Sequence, residues 1–441
     1  MLTRVLWLLI GFAPGVIAGP VIQDWQTDRG SRILFVESRE LPIVDIKIMF
    51  DAGSSRDPKR KAGLAQFTSS LLDEGAGGLD ADGISYEFER LGAHYGAGAG
   101  YDSSTITLRS LAGEDKLQAA LKNLRRVIAQ PDFPAQAITR QRKRFLVGLQ
   151  DKQQSPGSVA HDNFFAALYQ KHPYARPPEG TEAGINAIKR ADIKSFHRRY
   201  YTARNALITI VGDLSRAEAE VIAEDLTRDL PRGKPPAPLP RVKPLRAAEE
   251  IRVQHASTQV HILLGQPALA RGDKDNLPLY VGNHVLGGGG MISRLFEEIR
   301  DQRGLTYSVY SYFSPRRKKG PFMAGLQTRA EQQGQALQVL REMIADYINT
   351  GPTEAELQAA KLNITGGFPL NLDSNGKILN QVALIGFYNL PLDYLDTYID
   401  KVNAVTVSDI KQAFAKHLHP DKFVAVLVGP VDAGAGEARA E

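Results

Sequence analysis

The chain has 441 residues, of which 43% are hydrophobic and 23% are charged, and its formal net charge is +5. These values exclude a disordered chain, a fibre and a coiled coil, and the length allows two or three domains of about 150 residues. The sequence contains no cysteine, which excludes disulfide scaffolds, thiolate zinc sites and cysteine nucleophiles, and the lack of a basic block argues against a nucleic acid as partner.

Residues 1–18 have the pattern of a secretory signal peptide. Arg4 precedes an apolar run over residues 5–13, and small residues lead to an expected cleavage point after Ala18. This run is too short for a membrane-spanning helix, which needs about 20 residues. Because no other apolar run is long enough, we expect a soluble, exported protein without a membrane span. Export and the lack of cysteine together predict the bacterial periplasm.

The chain contains an internal repeat. Residues 184–213 and 401–430 share the dipeptide Asn-Ala and the tripeptide Asp-Ile-Lys at an offset of 217 residues, and both end in an apolar strand followed by Val-Gly. The apolar helical stripe within residues 117–128 recurs within residues 337–344 at an offset of 216. Because these matches occur at nearly the same offset, they predict a duplicated structural unit.

A proline-rich linker separates the two repeats. Residues 231–244 contain six prolines, which exclude a helix or a central strand. We expect a signal peptide at 1–18, an N-terminal domain at 19–230, a linker at 231–248 and a C-terminal domain at 249–441. Strand-like runs alternate with long amphipathic helices, which predicts an α+β fold of two homologous domains, each a mixed β-sheet covered by helices.

Residues 61–78 read KAGLAQFTSSLLDEGAGG and follow a strand and a polar turn. This segment, the repeated halves and the proline-rich linker resemble the pitrilysin/insulinase family of metallopeptidases, particularly its two-domain processing-peptidase branch, in which a chain forms half of a clamshell. The resemblance covers the whole mature chain. Family members carry the zinc motif H-x-x-E-H on this helix, whereas Gln66 and Ser70 stand at its histidine positions and Ser69 at its glutamate position.

The altered motif predicts that the N-terminal domain binds no metal. Two histidines at i and i+4 share one helix face and one zinc ion, and the glutamate acts as general base. Gln66 and Ser70 are weak neutral ligands, and Ser69 cannot accept a proton near neutral pH. By the resemblance, the third ligand position falls near Val147 and Gly148, neither of which coordinates a metal.

No other residues are expected to rebuild the metal site. Asp73 and Glu74 follow the motif, but adjacent carboxylates are expected to point to different faces. Nine histidines are present, and none, including His417 and His419, is expected to have an acidic partner at the spacing of metal ligands.

The C-terminal domain keeps a specific family motif. Residues 285–315 read VLGGGGMISRLFEEIRDQRGLTYSVYSYFSP and resemble the family's signature for the half without zinc. By the resemblance, Arg300 and Tyr307 face the zinc across a closed chamber, bind the substrate carbonyl and stabilise the oxyanion. Gly304 is expected to end the helix that holds Arg300, and Tyr307 to begin a strand on the same face as Val309.

Two segments are candidates for substrate binding. One is a glycine-rich turn, which either contacts substrate or only permits a tight backbone turn; it consists of Gly287, Gly288, Gly289 and Gly290. The other, residues 91–110, resembles the edge strand that pairs with substrate in catalytic relatives, with Gly96 and Ala97 near the pairing position. Four glycines in residues 92–100 predict a poor strand that has lost this grip.

Three functions remain open. In the favoured one, the chain is inactive alone and supplies Arg300 and Tyr307 in trans to a homologous partner, whose intact H-x-x-E-H motif binds zinc, for hydrolysis of an unfolded peptide. The second is a non-catalytic peptide-binding or scaffold protein, against which the presence of Arg300 and Tyr307 argues. The third is an autonomous peptidase with an altered metal site. In the favoured heterodimer, this chain binds no cofactor itself.

Overall fold

The computed structural model describes residues 19–430, so the predicted signal peptide at residues 1–18 lies outside the described part of the chain. The strands are β1 (Gln23–Gln26), β2 (Arg32–Glu37), β3 (Ile43–Phe50), β4 (Gly75–Ala76), β5 (Leu79–Asp80), β6 (His94–Ala99), β7 (Ser104–Leu111), β8 (Ala206–Gly212), β9 (Glu249–Gln254), β10 (Gln259–Leu269), β11 (Val309–Phe313), β12 (Gly320–Arg329) and β13 (Val424–Gly429). No helix within residues 19–430 has both the length and the apolar character needed to cross a membrane.

The α-helices are α1 (Leu64–Ser69), α2 (Ala81–Glu89), α3 (Glu114–Ala129), α4 (Ala135–Gln153), α5 (Pro156–Tyr169), α6 (Glu182–Ala187), α7 (Arg190–Tyr200), α8 (Arg216–Thr227), α9 (Asn276–Asn283), α10 (Gln333–Thr350), α11 (Glu354–Gly367), α12 (Asn375–Tyr388), α13 (Tyr398–Ala404) and α14 (Val407–His417). Two π-helical segments, His284–Gly288 and Phe296–Gln302, lie between α9 and β11.

The N-terminal sheet has the strand order β1-β2-β8-β3-β7-β6. Strands β2 and β8 are parallel, and the other neighbours are antiparallel. Strand β8 lies inside the sheet and is buried at every residue, as its sequence ALITIVG requires. Strand β6 has a partner on only one side and is therefore an edge strand.

The C-terminal sheet repeats this topology. Its order β11-β12-β10-β13-β9 corresponds strand for strand to β6-β7-β3-β8-β2, and its one parallel pair, β13 with β9, matches β8 with β2. Equivalent strands begin between 215 and 218 residues apart. The predicted α+β fold of two similar, helix-covered mixed sheets is confirmed.

Several helices begin where the sequence provides a capping box. At the start of α8, Ser215 Oγ accepts a hydrogen bond from the Glu218 backbone N–H, and Glu218 Oε2 accepts one from the Ser215 N–H. Helices α11 and α14 begin in the same way. Such a cap stabilises a helix by about 1 kcal/mol because it satisfies N–H groups that have no intrahelical partner.

Each sheet packs on one face against helices of its own domain and on the other face against a helix of the other domain. Helix α5 covers β10 and β13, and Phe165 and Val426 belong to the buried cluster formed there. Helix α12 covers β3 and β8, where Phe387 packs in one cluster with Leu34. A Cβ atom on Gly386 would lie 2.5 Å from Leu34 Cδ1, so glycine permits this close approach. The domains therefore exchange equivalent helices.

The buried carboxylate of Asp102, between β6 and β7, connects the two domains. Its Oδ1 accepts a hydrogen bond of 2.5 Å from the Tyr174 hydroxyl. Its Oδ2 accepts bonds of 3.0 Å from the Tyr388 hydroxyl, at the end of α12, and 2.8 Å from the Arg317 backbone N–H. Burial, together with the charge of Asp102, raises the pKa of Tyr174 and Tyr388, which keeps both phenols protonated as donors.

Replacing Asp102 is expected to destabilise the whole chain. Asp102→Ala leaves the hydroxyls of Tyr174 and Tyr388 and the Arg317 N–H without this acceptor, and we expect the free energy of unfolding to fall by about 3 kcal/mol. Urea denaturation followed by circular dichroism measures this change. The control Asp151→Ala removes an exposed carboxylate and should have no measurable effect; equal stability of the two variants would contradict the assigned role of Asp102.

Candidate functional site

Helix α1 carries the residues at the metal-ligand positions, and a buried side chain from outside the helix fixes its start. Gly63 precedes it with φ 97°, a left-handed conformation, and provides no side-chain cap. Asp57 replaces the cap, because its carboxyl oxygens accept hydrogen bonds of 2.7 Å from the Gly63 N–H and 2.8 Å from the Ala65 N–H. Burial raises the pKa of Asp57 to about 7, although these N–H groups and Arg176 act in the opposite direction.

The side chains at the three altered motif positions are held by the fold. Gln66 Oε1 accepts a hydrogen bond of 2.5 Å from the backbone N–H of Ala99 in β6. Ser70 Oγ donates to the Phe67 carbonyl at 3.0 Å, and Ser69 is fully buried. None of these side chains is a strong zinc ligand or a general base.

A cavity of about 460 Å³, here called the N-domain cavity, lies beside α1 and β6. It is lined by Ser69, Ser70, Asp73, Glu74, Tyr95, Gly96, Ala97, Gln141, Arg144 and Phe145. The structure thus brings Gly96 and Ala97, predicted at the substrate-pairing position, together with the altered motif. The glycines were predicted to make this segment a poor strand, but β6 pairs with β7 over its whole length from His94 to Ala99.

The prediction that Asp73 and Glu74 point to different faces was also wrong. Both line the N-domain cavity, because they lie in the irregular turn after α1 rather than in a regular helix or strand. Glu74 forms an ion pair with Arg140 and accepts a hydrogen bond from Gln141. Burial and the neighbouring Glu74 raise the pKa of Asp73. The position of these carboxylates just after the motif was the signal that sequence reasoning undervalued.

The α4 residues that line the N-domain cavity are not the ones that the sequence predicted. Val147 is 56% exposed, and neither it nor Gly148 lines the cavity; the α4 residues that do so are Gln141, Arg144 and Phe145. The predicted position of the third ligand, near Val147 and Gly148, therefore lies outside this cavity. Neither the amide of Gln141 nor the guanidinium of Arg144 replaces a carboxylate ligand.

Within residues 19–430, one group could offer three metal-ligand atoms, and it lies in the C-terminal domain. It consists of Asp273, Asp275 and His417. The expectation that His417 lacks an acidic partner was wrong, since its Nε2 lies 2.9 Å from Asp275 Oδ2 and 4.0 Å from Asp273 Oδ1. Lys416 Nζ also lies 2.5 Å from Asp275 Oδ2, so a lysine cation already occupies the carboxylate.

Arg300 and Tyr307 lie together on the surface of the C-terminal domain. The guanidinium carbon of Arg300 lies 4.5 Å from the Phe296 ring centroid and 5.2 Å from that of Tyr307. Gly304, with φ 62°, ends the π-helical segment that holds Arg300, as predicted. Tyr307 itself does not begin the strand, because β11 starts at Val309, and Tyr307 is 83% exposed.

The glycine-rich segment is partly helical rather than a simple turn. Gly287 and Gly288 belong to the first π-helical segment, and a Cβ atom on Gly287 would lie 2.4 Å from Ser311 Oγ. A Cβ atom on Gly289 would lie 2.6 Å from the His284 carbonyl oxygen. Gly290 has φ 64° and open space around it. Close packing therefore explains Gly287 to Gly289, and backbone conformation explains Gly290.

A second cavity, of about 490 Å³, lies between the glycine-rich segment and the edge strand β11. Its lining includes Tyr280, Gly287, Gly288, Gly290, Met291, Phe296 and Val309. Gly287, Gly288 and Gly290 thus lie at a site that an extended ligand could occupy, beside the surface that carries Arg300. The packing and backbone conformation that require glycine at these positions are compatible with a contact between the same glycines and substrate.

Comparison with known proteins identifies the family. The profile described as Insulinase (Peptidase family M16) matches residues 32–182, and that of the Peptidase M16 inactive domain matches residues 187–364. The crystal structure of a peptidase M16 inactive domain from Pseudomonas fluorescens is 40% identical, with a TM-score of 0.90, and covers 93% of this chain and 98% of its own. This chain belongs to peptidase family M16.

Other M16 relatives are named either as a non-peptidase or as a zinc protease. A Helicobacter pylori protein called non-peptidase homolog YmxG is 25% identical over 96% of this chain and 97% of its own length. A Bacillus subtilis protein called uncharacterized zinc protease YmxG is 25% identical over 93% of this chain and 98% of its own. The altered positions Gln66, Ser69 and Ser70 lie in the part matched by the Insulinase profile, and Arg300 and Tyr307 lie in the part matched by the inactive-domain profile.

The purified M16 chain is expected to contain no stoichiometric zinc at the altered motif. Gln66 is engaged by Ala99 and Ser69 is buried, so the three positions lack strong ligands. Metal analysis by mass spectrometry after dialysis measures the content. One zinc per chain that is lost in Gln66→Ala, but kept in His417→Ala, would contradict this expectation.

The buried carboxyl group of Asp57 is expected to make stability depend on pH. Because its pKa is raised in the folded state to about 7 from 3.8, the folded chain retains a proton that the unfolded chain has released. The free energy of unfolding therefore falls as the pH rises from about 4 to about 7. Urea denaturation across this range should show a smaller fall in Asp57→Asn than in the control Asp151→Asn; equal slopes would contradict the assignment.

Proposed function

We propose that this M16 chain is the subunit without zinc of a heteromeric zinc metallopeptidase and is inactive by itself. A homologous partner with an intact H-x-x-E-H motif supplies zinc, the attacking water and the general base. This chain supplies Arg300 and Tyr307 in trans. The observation that carries the proposal is the asymmetry of its two domains: the N-terminal motif has lost its ligands, whereas the C-terminal domain presents an adjacent arginine and tyrosine at an exposed surface.

The geometry of Arg300 and Tyr307 suits the stabilisation of negative charge. Arg300 is only half-buried. Its ion pair with the neighbouring Asp301 is long, with 3.6 Å between Arg300 Nη1 and Asp301 Oδ1. Its guanidinium N–H groups therefore remain available to a substrate carbonyl. The Tyr307 hydroxyl is a second donor on the same surface. Such donors stabilise an oxyanion that forms when water attacks a peptide carbonyl.

The exposure of Tyr307 favours a site that is completed by another chain. Tyr307 is 83% exposed, and Met291 and Ile292 are 74% and 67% exposed. Met291 lines the same cavity as Phe296, the ring on which Arg300 lies. Large exposed apolar side chains next to polar catalytic donors are typical of a surface that a partner covers. The proposed partner is the homologous zinc-bearing subunit, and the proposed substrate is an unfolded peptide, which the closed chamber of the resulting heterodimer admits.

The proposed location of this heterodimer is the bacterial periplasm. The basis is the sequence pattern of residues 1–18 and the lack of cysteine in the chain.

A non-catalytic peptide-binding or scaffold protein is the second candidate. The packing requirement of Gly287 and Gly289 supports it, because these glycines are explained without a substrate. The name of the Helicobacter pylori relative, non-peptidase homolog, also favours it. The pairing of Arg300 with Tyr307 argues for the catalytic role, since a scaffold has no need of two oxyanion donors.

The trans role is tested by reconstitution with a zinc-bearing M16 partner. Mixed subunits should cleave an unfolded fluorogenic peptide, and Arg300→Ala or Tyr307→Phe should lower kcat by about 100- to 1000-fold while assembly, measured by analytical ultracentrifugation, stays intact. The control Arg303→Ala removes an arginine that pairs with Glu298 outside the site. Full activity of the Arg300→Ala assembly would exclude the trans role and favour the scaffold.

A further inference from the structure

Two carboxylates and an imidazole meet where the start of α9 approaches the end of α14. Asp273 and Asp275 lie in the segment between β10 and α9, and His417 is the last residue of α14. The Nε2 atom of His417 lies 2.9 Å from Asp275 Oδ2 and 4.0 Å from Asp273 Oδ1. One ligand atom from each residue lies within 4.8 Å of the other two. Three side chains of metal-ligand type therefore share one small volume.

The spacing of these atoms suits a zinc ion. Bonds of about 2.0–2.2 Å from zinc to nitrogen and oxygen, in a tetrahedral arrangement, place neighbouring ligand atoms about 3.3–3.6 Å apart. The distances from His417 Nε2 to the two carboxylates, 2.9 Å and 4.0 Å, lie on either side of this separation. Small rotations of the two aspartate side chains therefore bring all three atoms to the distances that zinc requires.

The fold holds His417 in place independently of the carboxylates. His417 is buried, and its carbonyl oxygen accepts a hydrogen bond of 2.9 Å from the side-chain amide of Gln266 in β10. The oxygen of the same amide accepts one of 2.9 Å from the His419 N–H. These bonds fix the end of α14 against β10, the strand that leads to Asp273. A ligand that is already fixed loses little conformational entropy when an ion binds.

The duplicated fold does not require a histidine at position 417. The shared tripeptide Asp-Ile-Lys, at residues 192–194 and 409–411, has an offset of 217, so Tyr200 is the equivalent residue of the N-terminal domain. Tyr200 is also buried, and an aromatic ring therefore satisfies the packing at this position. His417 instead places a nitrogen ligand against two carboxylates, and this arrangement is a feature of the C-terminal domain.

Lys416 competes with a metal ion for the Asp275 carboxylate. Burial alone would raise the pKa of this carboxyl group, but hydrogen bonds from Lys416 and His417 lower the pKa below its usual value, so Asp275 is ionised and able to bind a cation. The Nζ atom of Lys416 lies 2.5 Å from Asp275 Oδ2, but the lysine side chain is more than half exposed. Exposed ion pairs are weak, and the flexible lysine can move into solvent.

We propose that Asp273, Asp275 and His417 bind a divalent cation of the zinc class. Lys416 occupies the Asp275 carboxylate until the ion displaces it. An imidazole among the ligands favours Zn²⁺ over Mg²⁺ and Ca²⁺, which prefer sites made of oxygen alone. Three protein ligands leave a further position for water. The bound ion connects the end of α14 to the start of α9 and stabilises the folded chain, and this role does not depend on the trans role of Arg300.

Zinc binding is measured on the full chain after treatment with EDTA and desalting. Competition with a chromophoric zinc chelator should show one high-affinity Zn²⁺ per chain, and an excess of Mg²⁺ or Ca²⁺ should not displace it. Zn²⁺ should also raise the melting temperature. A chain that binds no zinc, or one whose zinc is displaced by an equal concentration of Ca²⁺, would overturn the proposal.

Variants of the three residues identify the ligands. Asp273→Asn and His417→Gln should each weaken zinc binding by at least about 10- to 100-fold, because loss of even an outer partner of a metal ligand costs about that factor. The control His419→Gln removes an exposed histidine two residues further along the chain and should keep the original affinity. Because Asp273 is more exposed than His417, Asp273→Asn tests the site even if a change at the buried histidine unfolds the chain. Unchanged zinc affinity in folded Asp273→Asn overturns the proposal.

Two further variants test the displacement of Lys416 and the location of the ion. Lys416→Gln should raise zinc affinity by about 2- to 5-fold, the factor that an exposed ion pair contributes, whereas the control Lys411→Gln, at an exposed position of α14, should not change it. Equal or weaker binding in Lys416→Gln would overturn the displacement. Gln66→Ala should leave zinc affinity unchanged; loss of zinc in this variant would place the ion at the altered motif and overturn the proposal.

Discussion

The exchange of helices between the two domains is the constraint on which the rest of the structure depends. The six-stranded N-terminal sheet and the five-stranded C-terminal sheet each have two apolar faces. In each sheet, only one face is covered by helices of the same domain. The other face requires α5 or α12 from the opposite domain. The Asp102 carboxylate lies where these elements meet and accepts hydrogen bonds from both domains. The positions of β6 and β11 relative to each other follow from this packing.

Equivalent edges of the two sheets have acquired different surroundings. Strand β6 borders a polar cavity with carboxylates and Arg144, whereas β11 borders a cavity rich in aromatic and glycine residues. The duplicated backbone therefore supplies two strand edges of the same kind, and the side chains around them decide what each edge can bind. The altered motif positions border only one of these edges, and Gln66, Ser69 and Ser70 are not members of the apolar clusters that stabilise the two sheets.

Much of the fold could be predicted from sequence, because local periodicity and duplication specify it. The apolar runs of β8 and β13 and the helical stripe of α3 depend on neighbouring residues only, and the structure has them where the sequence places them. The offset of 217 residues predicted two similar units without any knowledge of packing. The altered motif was equally readable, because Gln66 and Ser69 lie in one short helix, α1, and Ser70 is its C-cap.

The parts that sequence could not supply depend on contacts between distant residues or on irregular backbone. Asp102 meets Tyr388 across 286 positions of sequence, and no local pattern marks that pair. Asp73 and Glu74 share a cavity because the turn after α1 does not follow helix or strand geometry. Tyr307 is exposed because β11 begins two residues later than alternation suggested. The glycines of β6 suggested a poor strand, but the regular partner β7 supplies a complete ladder.

The exchanged helices also set an order of events during synthesis of the chain. The face of the N-terminal sheet that carries Leu34 and Val211 stays uncovered until α12, residues 375–388, has been made. The N-terminal half therefore cannot complete its tertiary structure while it is the only part available, even though the residues of all its strands lie before position 213. Folding of this chain is a late, concerted step, and a nascent or cut half exposes an apolar sheet face that favours aggregation or capture by a chaperone.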